Sequence, residues 1–397
     1  MALANTASRY GTVTKTFHWL TAALILLLIP LGLIANRLPY DTGEQLATKA
    51  WFFSLHKTLG VFLFAVALAR ILWALSQTKP GPLHPERRTE PTLADIVHWL
   101  LYGSLVVVPL SGWVHHAATS GFAPIWWPFG KSLPLVPQSD ALAGWTATLH
   151  IITTRILMAS LALHIIGALK HHFVDKDTTL RRIWFKTSDV PTVQAHRSKA
   201  FAPAVAGLLF AGSGALAAVL TTPDAADIPS AAPLAQAESD WVVQDGELQI
   251  MVSQFGSEVT GQFADWTAEI AFDPDAGPDF GSVDVTVAIG SLTLGSVTDQ
   301  AMGPDYFNAE GFPTATYAGP IVADGEGYRI DGVLTIKDQS QDVALPFTLD
   351  LTDGTATVTG STRTDRMTYG IGEGQTDAGT LGFDVTIDVA LTATRAD

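Results

Sequence analysis

Two patterns of apolar residues divide this chain. Before about residue 220 they form long unbroken runs: Phe17 to Ala35, Trp51 to Leu75, Ile96 to Trp113, Trp145 to Ala168 and Phe201 to Leu220. A helix needs roughly 20 such residues to cross a hydrocarbon core, and each run meets or approaches that length. Trp or Phe near the ends of the first four suits the membrane interfaces. After residue 240 the period changes to two: SVDVTVAI (282 to 289) and FDVTIDVAL (383 to 391) alternate as half-buried antiparallel strands do. WTAEIAFD, GYRIDGVLTI, DVALPFTLD and TATVTGSTR read as further strands between Gly and Asp turns, and SVTDQAMGPDYF as holding a short helix. The predicted fold class is multidomain, an all-α transmembrane four-helix bundle plus one further transmembrane helix, followed by an all-β antiparallel barrel of about eight strands.

Charge separates the same two halves. Residues 1 to 221 hold 18 Lys and Arg against 9 Asp and Glu, whereas 222 to 397 hold 5 against 29. Within the first half, 12 of the basic residues lie before segment one, between two and three, or between four and five; only Arg37, Lys49 and Lys131 lie on the other side. Lys and Arg favour the cytoplasmic face, so the N-terminus is expected inside and everything after segment five outside. Segment one lacks a small-residue cleavage site and reads as a span. Segment five, RSKAFAPAVAGLLFAGSGALAAVL, has the basic start of a signal sequence and reads as an uncut anchor. The expected domains are 1–190, a transmembrane bundle; 191–222, the fifth helix; 223–240, a Pro/Ala-rich linker; and 241–397, a periplasmic barrel.

The haem expectation comes from histidine. All 11 histidines precede residue 200, and cysteine is absent, which excludes disulfides, thiolate metal sites and covalent haem attachment through C-x-x-C-H. His150 and His164 stand 14 residues apart in one apolar segment, a rise of about 21 Å and a turn about 40° short of four revolutions. They share a helix face, one near each side of the membrane. Ionisable residues at that depth usually mark function, and imidazole suits the iron of a b-type haem. Depth pairs His18 with His164 and His56 with His150; His98, or His115 or His116, match the same depths. Arg70 and the deeper Arg155 are candidates to neutralise haem propionates, and Lys57 sits beside His56. His115 and His116 with Trp126 and Trp127 could border a quinone or substrate site.

TKTFHWL, WFFSLHKTLGVFLFAVALARILW, HWLLYGSLVVVPLSGW and LHIITTRILMASLALHIIGALKHHFVDKDTTLRRIW together resemble the bacterial cytochrome b561 family across roughly residues 7 to 186. The H-x3-G of His56 and Gly60, the PLSGW and the closing HHF-x-x-KD-x-TL-x-R carry the likeness. The resemblance implies a four-helix bundle with two b haems, ligated at His18, His56, His150 and His164, and a family with members that oxidise superoxide on the outer face and reduce ubiquinone.

In the acidic half, FADWTAEIAFDPDA, SVTDQAMGPDYFNAEGFPTATYAG, YRIDGVLTIKDQSQDVALPFTLDL and FDVTIDVALTA resemble the YceI family from about Trp241 onward. That implies a lipocalin-like barrel binding an isoprenoid chain such as that of a polyprenyl quinone. Two departures stand out: the family's arginine is missing around Gly295 to Asp299, and its early histidine is replaced by Ser253 or Gln254. Aromatics expected at the cavity are Phe255, Phe263, Trp266, Phe272, Tyr306, Phe307, Phe312, Tyr317 and Phe347. With no paired carboxylates, Ser/His/Asp set or phosphate loop, this half is not expected to catalyse alone.

The functional expectation is a multi-pass protein of the bacterial inner membrane, an oxidoreductase with two haem b that moves electrons between the quinone pool and a periplasmic donor or acceptor. Superoxide oxidation with ubiquinone reduction is the specific form considered. The tethered barrel binds a quinone or another isoprenoid, the linker holding it at high effective concentration. The alternative is a periplasmic lipid carrier anchored to the haem subunit of a larger respiratory complex. Expected partners are the bilayer, ubiquinone or another polyprenyl quinone, a periplasmic redox protein and a second copy of the chain, with no nucleic acid.

Overall fold

The computed structural model describes residues 2–40, 42–87, 89–119, 122–126, 128, 133–185, 190–195, 200–221, 234, 239–325, 327–352 and 354–396. Trp127 and nearly all of the expected linker at 223–240 lie outside the described residues. Two compact units are present, one helical and one of strands.

The helices are α1 (Thr12–Arg37), α2 (Gly43–Leu75), α3 (Thr89–Ala118), α4 (Asp140–Phe173) and α5 (Phe201–Thr221), all five long and apolar enough to cross a membrane, and the helical unit takes α2 from Trp51 onward. α2, α3 and α4 begin well before their apolar runs, because an amphipathic turn continues a helix once nucleated. α4 starts where the Ser139 side chain accepts a hydrogen bond from Leu142 N, filling one of the orphan donors of its first turn. The helices meet through Leu24, Ile25, Leu28, Leu63, Val66, Ala67, Leu105 and Leu157. Thr21, Ser104, Thr153 and Ser160 are fully buried among them, small side chains that let helices approach closely within lipid. Leu72 and Leu75 of α2 and Leu208 of α5 stay 68%, 79% and 74% exposed, as a lipid-facing surface requires. α5 packs on α3 and α4: a Cβ at Gly103 would fall 2.2 Å from the Phe210 ring, and Trp145 Nε1 donates to the Gly214 carbonyl at 3.0 Å.

The strand unit is a single curled antiparallel sheet of ten strands rather than eight. They are β1 (Trp241–Gln254), β2 (Ser257–Phe263), β3 (Trp266–Phe272), β4 (Gly281–Ala288), β5 (Leu292–Thr293), β6 (Thr314–Asp324), β7 (Gly327–Ile336), β8 (Gln339–Thr352), β9 (Thr355–Asp365) and β10 (Leu381–Arg395). A short helix, α6 (Thr298–Met302), falls inside the segment expected to hold one. The order is β3-β4-β6-β7-β8-β9-β10-β1-β2-β5. The first strand lies beside the last, with Ile250 opposite Ile387, so the sheet wraps round its own core. The added strands come from β5, only two residues long, and from β1 and β2 being separate strands of one hairpin. That hairpin turns through Phe255 and Gly256 at φ 48° and 71°, the left-handed pair that matches the twist of flanking strands.

Candidate haem centres and barrel cavity

Within the bundle, α4 supplies a histidine to each of two facing pairs. His164 and His18 of α1 have ring centroids 6.1 Å apart, and His150 and His56 of α2 have theirs 6.4 Å apart. Two imidazoles that held one metal ion between them, each through a bond of about 2 Å, would have centroids about 6 Å apart. Both pairs meet that spacing. His98, the alternative at the first level, stands edge-on to His164 at 5.1 Å with its Nδ1 2.6 Å from the Ala94 carbonyl. At the second level His115 Nδ1 bonds the Ala143 carbonyl at 3.0 Å and His116 Nδ1 faces Lys57 Nζ at 3.3 Å.

The second pair shows how a ligand is oriented. His150 Nδ1 lies 2.9 Å from the Val108 carbonyl; an oxygen can only accept, so the proton sits on Nδ1 and Nε2 keeps its lone pair for a metal. Glycines make room for the rings. A Cβ on Gly32 of α1 would reach 2.8 Å from His56 Cε1, and one on Gly112 of α3 would reach 3.1 Å from His150 Cε1. Gly60 and Gly167 lie one helical turn beyond His56 and His164, and no heavy atom stands within 4 Å of a Cβ built on either. Open space along the ligand faces is what a flat macrocycle needs, and the residues present fit a haem at each level.

The other expected cofactor contacts are less uniform. Arg70 of α2 lies over the Tyr102 ring at 5.4 Å, within electrostatic reach of His18 and His164. Arg155 occupies an exposed face of α4, and Lys57 is half-buried and turned to His116.

At the end of the bundle carrying His18 and His164, the closing sequence motif makes a clasp. Asp177 Oδ2 lies 2.7 Å from His171 Nδ1 and 3.2 Å from His84 Nε2, the two rings stacked at 6.5 Å. Asp175 takes Arg87 at 3.0 Å and Lys170 at 2.9 Å, and Lys170 also reaches Glu90 at 2.7 Å. The hydrogen bond from Lys170, then that from Arg87, holds the Asp175 carboxyl at about 2. Arg182 donates from Nε to the Ser8 carbonyl at 2.9 Å and from Nη1 to that of Gly81 at 2.8 Å. These bonds tie the α2–α3 connection and the segment before α1 to the end of α4.

The strand unit encloses a cavity of about 270 Å³. Phe263, Trp266, Phe272, Tyr306, Phe307, Tyr317 and Phe347 line it. Phe255 and Phe312 do not, which corrects the expectation for these two: Phe255 occupies the β1–β2 turn, where period-two alternation has ended, and Phe312 the loop before β6. Of the alternatives for the family histidine, Gln254 faces inward, continuing the set Leu248, Ile250 and Val252, while Ser253 is exposed.

Among the lining residues that were not anticipated is an arginine. Arg366, 3% exposed, donates from Nε to Gly382, from Nη1 to Ile371 and Gly372, and from Nη2 to Gln375 and Leu381, each time to a backbone carbonyl. All five guanidinium hydrogens are used, so burial, which lowers its pKa, leaves it hydrogen-bonded rather than bare. It folds the 366–382 segment into the mouth of the barrel. The signal in the sequence was an arginine immediately after a strand and just before the Tyr-Gly of TDRMTYG.

The sequence matches the family described as prokaryotic cytochrome b561 over residues 9–186 and the YceI-like domain over residues 241–393. It is 31% identical over 191 residues to cytochrome b561 homolog 2 of Escherichia coli, covering 47% of this chain and 97% of that protein. It is 26% identical to the probable superoxide oxidase CybB of Yersinia pestis, over 44% and 95% of the two chains. Among solved structures, BcnA of Burkholderia cenocepacia is 30% identical with a TM-score of 0.35, covering 38% of this chain and 96% of that one. The chain is thus a member of the prokaryotic cytochrome b561 family, a haem b-binding membrane oxidoreductase, carrying a YceI-like antiparallel barrel after its last membrane helix.

Proposed function

We propose that the protein carries two haems b, held by His18 with His164 and by His56 with His150, and conducts electrons between the two faces of the inner membrane. The observation that carries this is the pair of 6.1 and 6.4 Å imidazole separations on one helix, with the α4 ligands about 21 Å apart along its axis. Bound haem supplies one-electron redox chemistry. The chain's own residues set the ligand tautomer at His150, leave flat space at Gly60 and Gly167, and place the Arg70 charge beside the first pair. Twelve basic residues against three support a cytoplasmic N-terminus and a periplasmic barrel. The barrel then binds a polyprenyl quinone or another isoprenoid and holds it near the periplasmic face.

One relative supports a specific form of this reading. CybB of Yersinia pestis is named a probable superoxide oxidase. In this chain two superoxide anions would each lose one electron to become oxygen, and a quinone would take the two electrons and two protons to become quinol. The balance of 5 basic against 29 acidic residues after 221 repels an anion and weighs for quinol over superoxide as the electron source. A pyridine haemochrome assay and reduced-minus-oxidised spectra on the purified full chain test the ligand set: two haems b per chain are expected. Reduction by ubiquinol without another protein would support the quinone linkage, and reduction only with an added periplasmic dehydrogenase would favour a subunit of a larger complex.

A further inference from the structure

The barrel cavity has two unlike ends. β1 begins at Trp241 and finishes at Gln254, both of which line it, and a strand of that length spans about 40 Å. Around Trp241 the lining is Ile270, Phe272, Leu349, Ala356 and Leu391, without a free polar atom: Trp241 Nε1 is taken by the Phe272 carbonyl at 3.0 Å. At the other end the lining includes Gln300, which donates to the Tyr306 hydroxyl at 2.9 Å, and Tyr369, whose hydroxyl meets Thr364 Oγ1 at 3.0 Å. Arg366 joins these to Gln254, because it bonds Leu381, the residue opposite Gln254 on β10, and also Gly372, against which the Tyr306 ring packs.

Gln254 differs from its neighbours. It is 5% exposed, its Oε1 has no hydrogen-bond partner, and it faces the cavity. A buried polar atom left unpaired costs more than a hydrogen bond returns, so such a group in a cavity wall marks where a ligand's polar atom belongs. A carboxamide offers one acceptor and two donor hydrogens on a side chain whose amide can turn over. It can donate to a ring carbonyl and equally accept from a ring hydroxyl.

We infer that Gln254 recognises the ring head of a prenylated quinone, that the tail runs toward Trp241, and that the site holds quinone and quinol alike. This rests on the proposed reading that the barrel takes an isoprenoid. A cavity indifferent to redox state suits a tethered carrier, which has to accept one form and return the other.

The test is photolabelling of the full chain, anaerobically in detergent, with an azido-ubiquinone bearing a short prenyl tail, followed by mapping of labelled peptides from residues 241–397. Label is expected on the peptides containing Gln254 and Tyr306. Ubiquinone-2 and its quinol should protect at concentrations within about threefold of each other. In Gln254→Met, which conserves volume, both protecting concentrations should rise about tenfold, the loss of one hydrogen bond to a buried group. A photoactivatable prenyl hydrocarbon without a ring should label both proteins equally, showing that the variant's cavity is intact. Label confined to the Trp241 end, unchanged protection in Gln254→Met, or a rise for only one redox form would overturn the inference while leaving the barrel a lipid site. No label anywhere in the barrel would instead remove the reading on which it rests.

Discussion

The bundle and the barrel use apolar residues in opposite senses. In the bundle, Leu72, Leu75 and Leu208 face outward, while histidines, threonines and serines turn inward. In the barrel, the apolar side chains surround the cavity, and Asp, Thr and Glu cover the outside. The solvent explains the difference: lipid accepts a leucine surface but no unpaired polar group, whereas water reverses both preferences. A polar group inside either region is therefore conspicuous. The bundle places imidazoles at two levels; the barrel gathers the amides of Gln254 and Gln300, two tyrosine hydroxyls and Arg366 at one end.

Removing those inward groups should separate the regions most sharply. His150→Ala and His164→Ala should each lose about half of the bound haem in a haemochrome assay, with the other level still reducible and the barrel unaffected. His98→Ala should retain both haems; loss of one would exchange the ligand at the first level. On the barrel side, Arg366→Met strands five backbone carbonyls, and denaturant-dependent proteolysis of the β region should show a loss of about 3 kcal/mol or more. The haem spectrum should not change. If it does, the two units are coupled more tightly than their separate folding logic implies.

Smaller changes should tune the haem levels rather than empty them. Gly32→Val brings a branched side chain against the His56 ring and should cost about 1 to 3 kcal/mol of local packing, read as a shifted midpoint potential or weakened occupancy at one level only. The smallest effect expected is that of acid on the clasp. Asp175 is held at about 2 by Lys170 and Arg87, below the ordinary carboxylate value of about 4. Its contribution is therefore complete at neutral pH and is lost as pH falls from about 4 through about 2. Hydrogen exchange across residues 170–184 should quicken over that window, before the barrel strands lose protection.

The two histidine levels were legible because the membrane makes histidine rare and helical spacing converts sequence distance into depth. Depth could not separate His18 from His98, since a helix end at a given level admits either; the structure places the His18 ring 6.1 Å and the His98 ring 5.1 Å from that of His164. In the barrel, alternation placed Phe263, Trp266 and Phe272 correctly among the lining, and failed at Phe255 because a turn residue with φ 48° has left the period. α5 was legible as a span, but its seat depends on Gly103 and Phe210 meeting, a contact between residues more than 100 positions apart.

Local pattern was enough for five spans, a following antiparallel sheet, the histidine levels and the charge asymmetry, since each follows from neighbours within one helix or strand and from the solvent around it. Folding in three dimensions was needed to set how histidines of equal depth face one another, to turn Gln254 rather than Ser253 into the cavity, and to give Arg366 its five carbonyls. Those outcomes depend on which distant backbone atoms arrive together, and no periodicity along the chain encodes that.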